Sequence, residues 1–243
     1  MFKVATYNIH KGHSLMRGCS LSMLKAGLTE LNADIVCLQE VQETTRRHAD
    51  SLLTHGTSQI KALQNGTYPY VAYSANAVYS HGHHGNAILS RFPIRTFQNI
   101  DVSDHRLEQR GVLHAIVEHP RLGEIHILCA HFGLFKVSRV RQAAALIAHV
   151  ERTVPPDAPL IIAGDFNDWN LHVHQLLTQR LHVMDTIESV HQKHVARTFP
   201  ARLPWFKLDR LYVRNLSIID AHVHSGREWR TRSDHAPMTA SLK

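Results

Sequence analysis

Short apolar, β-rich runs that stop abruptly at a polar residue constrain this chain more than any other feature. They end at Asn8 in ATYNIH, Glu40 in IVCLQEV, His131 in ILCAHFG, Asp165 and Asn167 in IIAGDFND, and Asp209 in KLDRLYV, and the late tetrapeptide Arg232-Ser233-Asp234-His235 completes the set. Runs of this kind read as buried strands, and the ends of such strands are where open α/β sheets place their chemistry. One such ending is noise, whereas a series of them in chain order is a candidate site.

Between these endings the organisation is alternation. Ser20 can cap a helix whose apolar positions Leu21, Leu24, Leu28 and Leu31 share one face, and Asn32-Ala33-Asp34 then turns into a strand over residues 35–38. The layout recurs: a strand over 125–130 ends at His131, a helix carries Val137, Val140, Ala144 and Ile147 on one face, Pro155-Pro156 stops it, and a strand over 160–163 follows. Two such units predict an α/β fold of two packed sheets with pseudo-twofold symmetry and a cleft along one edge. Residues 68–73, 86–89, 112–117, 208–213, 218–223 and 238–242 read as short antiparallel strands. The stretch 43–66, with Arg46 and Arg47, is expected to be partly helical. With no linker in view, the 243 residues are expected to form one domain.

Charge and cysteine usage narrow the partners. A formal charge of +7 and a pI near 9.5 favour phosphorylated or polyanionic partners, or an anionic membrane surface. Cys19, Cys37 and Cys129 follow no metal or redox spacing and read as reduced core thiols. No signal peptide is visible before Asn8 and no apolar run is long enough to span a bilayer, so the expectation is a soluble, cytoplasmic chain with no protein partner implied.

The residue types at the strand ends suggest phosphoester chemistry. Glu40 and Asp234 supply hard anionic oxygens suited to Mg²⁺, with Mn²⁺ as a substitute, and Asn8 and Asn167 add neutral oxygens. Asp165 is placed to hold or deprotonate a water, with Asn167 beside it. His235 suits a phosphate oxygen, with Asp209 fixing its tautomer, and His131 suits a second phosphate contact or a proton donor to the leaving oxygen. Among 21 histidines, His10 and His84 adjoin motifs at the cleft mouth and are expected to touch substrate. His81, His83 and the pair His222 and His224 have loose metal-like spacing but read mainly as solvated faces. The run Arg227, Arg230, Arg232 precedes Asp234 and offers one side chain to grip a phosphate.

Together TYNIH, CLQEV, GNAILSRFPI, CAHFG, AGDFND, LDRLYV and SDHAP resemble the ordered motifs of the endonuclease/exonuclease/phosphatase superfamily, the DNase I-like fold, from residue 4 to about residue 242. The chain looks most similar to a compact bacterial branch, the YbhP-like proteins. The resemblance implies a four-layer α/β sandwich hydrolysing phosphoesters with a divalent cation. Residue by residue it implies Glu40 as metal ligand with Asn8 and Asp234 lining the metal site, Asp165 and Asn167 positioning the water, and the Asp209–His235 pair and His131 on the scissile phosphate. Arg110 matches an arginine that faces the cleft in some members. Ile9-His10-Lys11-Gly12 and Arg210 depart from the abasic-site endonuclease pattern, and neither the disulfides of a secreted DNase nor an apolar membrane-entering hairpin is expected. The first reading is a nuclease-like phosphodiesterase. The alternatives are the same chemistry on a phospholipid, phosphoinositide or small phosphoester and, in a different class, a noncatalytic binding module.

Overall fold

The computed structural model describes residues 1–14, 18–19, 21–44, 58–79, 82–104, 108–191 and 197–243. Ser20, His81, Arg46 and Arg47 lie outside the described residues, as do the side chain of Cys19 and most of the stretch between Glu43 and Gly66. In chain order the elements are β1 (Phe2–Asn8), the two-residue strands β2 (His13–Ser14) and β3 (Gly18–Cys19), α1 (Leu21–Leu31), β4 (Ile35–Thr44), α2 (Gln59–Gln64), β5 (Tyr70–Tyr79), β6 (Gly82–Ser90), β7 (Ile94–Asp101), β8 (Gly111–His119) and β9 (Gly123–His131). There follow α3 (Lys136–Thr153), β10 (Leu160–Asp165), α4 (His172–Leu181), β11 (Met184–Asp185), α5 (Thr186–Val190), β12 (Asp209–Arg214), β13 (Ile218–Val223), α6 (Trp229–Arg232) and β14 (Met238–Leu242).

Two six-stranded sheets carry the fold, ordered β13-β14-β1-β4-β6-β5 and β11-β12-β10-β9-β8-β7. Each holds one parallel pair joined by a helix, β1 with β4 through α1 and β9 with β10 through α3. Every other pairing in the two sheets is antiparallel. The pseudo-twofold relation expected from the two strand-helix-strand units is therefore present in the topology.

Period-two alternation explains why the strands read as unbroken apolar runs. Ile127, Cys129, Ile161 and Ala163 face the other sheet, while Leu128, Leu160 and Ile162 face α3 and α4. In the first sheet Ile35 and Cys37 point inward, and Val36 and Leu38 pack on Leu24, Leu28 and Leu31 of α1. Three apolar layers between four layers of secondary structure result, and each fully buried Leu or Ile contributes about 1.5–3 kcal/mol. Cys37 and Cys129 are buried, free thiols between the sheets, as the sequence implied.

The helix expectations were met unevenly. α1 buries Leu24, Gly27, Leu28 and Leu31, close to the expected stripe. On α3 the stripe is displaced: Val137 is 61% exposed and Val140 36%, Ala144 also faces out, and the buried face runs through Arg139, Gln142, Ala143, Leu146 and Val150. A polar-looking Arg139 turns inward because its guanidinium stacks 4.3 Å over Trp169 and donates to the Leu134 carbonyl. Strand β7 was not anticipated, since its burial pattern is almost wholly exposed and it carries no strong apolar signal. No helix among the described residues is long and apolar enough to cross a membrane.

Candidate active site

Adjacent strand ends bring the expected residues together. In the first sheet, β14, β1 and β4 are neighbours, so Asp234, Asn8 and Glu40 arrive side by side. In the second, Asp165 at the end of β10 is level with His131 on β9 and with Asp209 on β12. Asn8 links the sheets: its Nδ2 donates to Asp165 Oδ2 at 3.0 Å and lies 3.4 Å from Glu40 Oε1, while its Oδ1 accepts from the His10 N–H at 3.0 Å.

Glu40 reaches this position through a break in alternation. The pairing of β4 with β6 shifts register between Leu38 and Val41, and Glu40 has φ of 58°. Val36, Leu38 and Val41 all face the helix layer, so the bulge flips the strand's parity at this point. His10, Lys11 and Asn167 also have positive φ, at 46°, 56° and 49°. Non-glycine left-handed residues are costly, and their concentration here is the pattern of a site held in place by its surroundings. Buried Gln59 braces the 10–12 turn, accepting from Gln42 N–H and donating to the Lys11 carbonyl.

Around Asp165 the polar groups are fully organised. Its Oδ1 accepts from the Asn167 N–H at 3.0 Å, and its Oδ2 lies 3.7 Å from both His131 Nε2 and His235 Nε2. His235 Nδ1 sits 2.8 Å from Asp209 Oδ2. Burial opposes a charge on His235, but Asp209 and Asp165 hold its proton and push its pKa up to about 10. Burial raises Asp165 to about 6, with Asp209 adding to the effect and His235 opposing it. His131 is driven well below its ordinary value by burial, then by the Arg110 and His235 charges, and is neutral. Asp234 is held low against the effect of burial by its hydrogen bond with His10, 3.1 Å away, which raises His10 in turn.

These groups floor a cavity of about 540 Å³ lined by His10, Glu40, Arg110, His131, Asp165, Asn167, Asp234 and His235, with an apolar side formed by Leu134, Trp169, Phe199, Phe206 and Leu208. Asn8 and Asp209 support the floor from behind, each 1% exposed. His84 is buried and is not part of the cavity wall, and burial and the Lys11 charge lower its pKa. Arg110 lines the cavity with Nη2 3.2 Å from Glu108 Oε1. The arginine run does not reach the cavity. Arg232 stacks 4.2 Å over Trp229 and pairs with Glu30 at 2.8 Å, and Arg227 and Arg230 point to solvent.

Two sets of candidate metal donors lie at this site, apart from the groups His191, Asp220, His222 and His174, Asp185, Glu188 elsewhere among the described residues. Asp165, Asp209 and His235 bring ligand atoms within 4.8 Å of one another, but all three are buried and the imidazolium of His235 repels a cation. Glu40 and Asp234 instead present carboxylates, with side chains 18% and 14% exposed, to the same cavity. An oxygen-rich, thiol-free pair of this kind suits a hard divalent cation. The His222–His224 pairing is not a unit: His224 turns to Thr239 Oγ1, and His222 clusters with Asp220 and His191.

The apolar side was missed in the sequence. Trp169, two residues beyond Asn167, was legible as a neighbour of the motif, whereas Leu134, Phe199 and Phe206 carry no local signal. Residues 199–206 close a tight turn through the backbone pair Phe199 and Phe206 and expose Leu203 and Trp205.

Residues 5–235 match the model of the Endonuclease/Exonuclease/phosphatase family. The chain belongs to this family. The chain is similar to YbhP of Escherichia coli (strain K12), described as an uncharacterized protein, at 40% identity over 99% of this chain and 96% of that protein's length. Among solved structures, the endonuclease/exonuclease/phosphatase of Beutenbergia cavernae DSM 12333 superposes with a TM-score of 0.79 at 18% identity, covering 100% of this chain and 71% of that one. D. rerio TDP2 complexed with single strand DNA product superposes with a TM-score of 0.73 at 16% identity, covering 100% and 98%. Both likenesses place the four-layer sandwich of this chain in the DNase I-like fold of the family.

Proposed function

We propose that this family member is a Mg²⁺-dependent phosphodiesterase that attacks phosphorus with water. The observation that carries the reading is Asp165, a buried carboxylate with its lone pairs directed by Asn8 and Asn167, facing two partly exposed carboxylates across one cavity. Glu40 and Asp234 would hold the cation, with Asn8 lining its site, and Mn²⁺ would substitute. A cation held there would supply charge neutralisation for the phosphoryl group.

The chain's own groups divide the remaining work. Asp165, ionised above about pH 6, accepts a proton from the attacking water while Asn167 orients that water. As the new bond from water oxygen to phosphorus forms and the bond to the leaving oxygen breaks, negative charge grows on the non-bridging oxygens. The His235 imidazolium, fixed by Asp209, meets that charge. Neutral His131 donates a hydrogen bond to the phosphoryl group, and the leaving oxygen takes its proton from solvent water. Arg110 and His10 contact the flanking substrate.

The test is hydrolysis of bis(p-nitrophenyl) phosphate with MgCl2, with and without EDTA. Asp165→Asn should cut kcat by about 10²-fold or more at unchanged melting temperature, and His235→Ala should cut kcat as far while lowering the melting temperature, because it strands the buried Asp209 carboxylate. Full activity in either variant would remove the proposed mechanism.

A further inference from the structure

The cavity does not open onto plain solvent. Along its apolar side, Leu134 is 55% exposed, Val137 61%, Leu203 63% and Trp205 64%, with Phe135, Trp169 and Phe206 also outward. Contacts make these one surface. Arg139 donates to the Leu134 carbonyl and stacks on Trp169, Trp169 lies 6.5 Å from Phe206, and Phe206 closes the turn that carries Leu203 and Trp205. A contiguous apolar patch of this extent marks a docking surface, because leaving it in water forfeits the burial energy that its residues could gain.

We propose that this rim docks on an anionic lipid bilayer and that the cleft's substrate is a phospholipid phosphodiester presented at that surface. The substrate half rests on the phosphodiesterase reading, and the docking half does not.

Three observations favour a bilayer over a nucleic acid. The rim mixes aliphatic Leu134, Val137 and Leu203 with aromatics, and only the aromatics would offer a stacking face to a base. Exposed Lys136 lies between Phe135 and Val137, and exposed Arg202 precedes Leu203, so cations are interleaved with the apolar side chains as anionic headgroups require. Of the cations around the cleft, Lys11 is exposed, but Arg110 is engaged with Glu108, Arg141 with Asp104, Lys207 with Glu188 and Arg139 on Trp169. A polynucleotide needs a basic track along its backbone, and these side chains are committed to carboxylates and an indole. The rim flanks the active-site mouth, so a headgroup lifted only slightly from the interface reaches Arg110 and His235.

Co-sedimentation with phosphatidylcholine vesicles, with and without phosphatidylglycerol, tests the surface. Wild type should partition onto the mixed vesicles and not onto pure phosphatidylcholine. Val137→Ser/Leu203→Ser/Trp205→Ser should weaken that partition by about tenfold or more, and Lys136→Glu/Arg202→Glu should remove the preference for phosphatidylglycerol. None of these five residues lines the cavity, so hydrolysis of soluble bis(p-nitrophenyl) phosphate should stay within about twofold of wild type, which also certifies folding. Unchanged vesicle binding in the triple variant, or no binding by wild type, overturns the docking surface. Loss of single-stranded oligonucleotide binding in the triple variant, with vesicle binding intact, assigns the rim to nucleic acid instead. Vesicle binding by wild type without hydrolysis of either phosphatidylglycerol or the soluble diester overturns the catalytic reading while upholding the docking surface.

Discussion

Acid should destabilise this protein through one identifiable cluster. His114 on β8 is 3% exposed under α3, with Nδ1 2.9 Å from His149 Nε2 and Nε2 3.0 Å from His126 Nδ1. A chain of neutral rings satisfies these contacts, whereas a proton on the central ring places a cation beside two imidazoles in an apolar layer. Burial, then His149 and His126, lower His114 to about 3, and burial lowers the other two as well. The sign follows: the unfolded chain takes up protons near the ordinary value of 6.5 and the folded chain does not, so stability is full above 6.5 and falls as pH drops toward about 3. At about pH 5 His114 alone costs roughly 2 kcal/mol, rising to roughly 4 kcal/mol near pH 3. His114→Gln keeps a donor and an acceptor but cannot titrate. Urea unfolding followed by tryptophan fluorescence should show the loss of stability between pH 7.5 and 5 shrinking by about 2 kcal/mol in the variant. The same pH dependence in both proteins would refute the reasoning, whatever the absolute stabilities.

Three further outcomes follow from the geometry. Below about pH 6 the rate kcat/KM should fall with protonation of Asp165, by about tenfold per pH unit, and a flat profile down to pH 5 would show that another group takes the proton. His10→Ala removes a hydrogen-bonding competitor for the Asp234 carboxylate, so half-maximal activity should need up to about fivefold less Mg²⁺, and titration of activity against MgCl2 reads this directly. Arg210, 2% exposed, pairs with Asp185 at 2.8 Å and with Glu188 at 3.3 Å, and Asp185 also caps α5. Arg210→Met should cost about 3–5 kcal/mol by stranding that buried carboxylate, measured as urea stability, and Arg210→Met/Asp185→Leu should recover much of it.

The polar strand ends determined a great deal by themselves. A run such as residues 160–163 is apolar on both faces because it is covered on both, and its first polar residue marks the sheet edge where water and substrate begin. That is why Asn8, Glu40, His131, Asp165, Asn167, Asp209, Asp234 and His235 could be named before any coordinates, and why two strand-helix-strand units announced two sheets. Local pattern could not say which face of α3 is buried, because Arg139 turns inward only when Trp169 is there to stack on. Nor could it place Glu40, since a bulge is a property of the β4–β6 pairing and not of one strand. His84, expected at the cleft, is buried and does not line the cavity. The link from Asn8 to Asp165 and the apolar rim are further removed still, joining segments 157 residues apart in the first case and three separate loops in the second. Sequence fixes what each residue can offer and the period with which it faces in or out, but only packing brings two sheets close enough for those offers to meet.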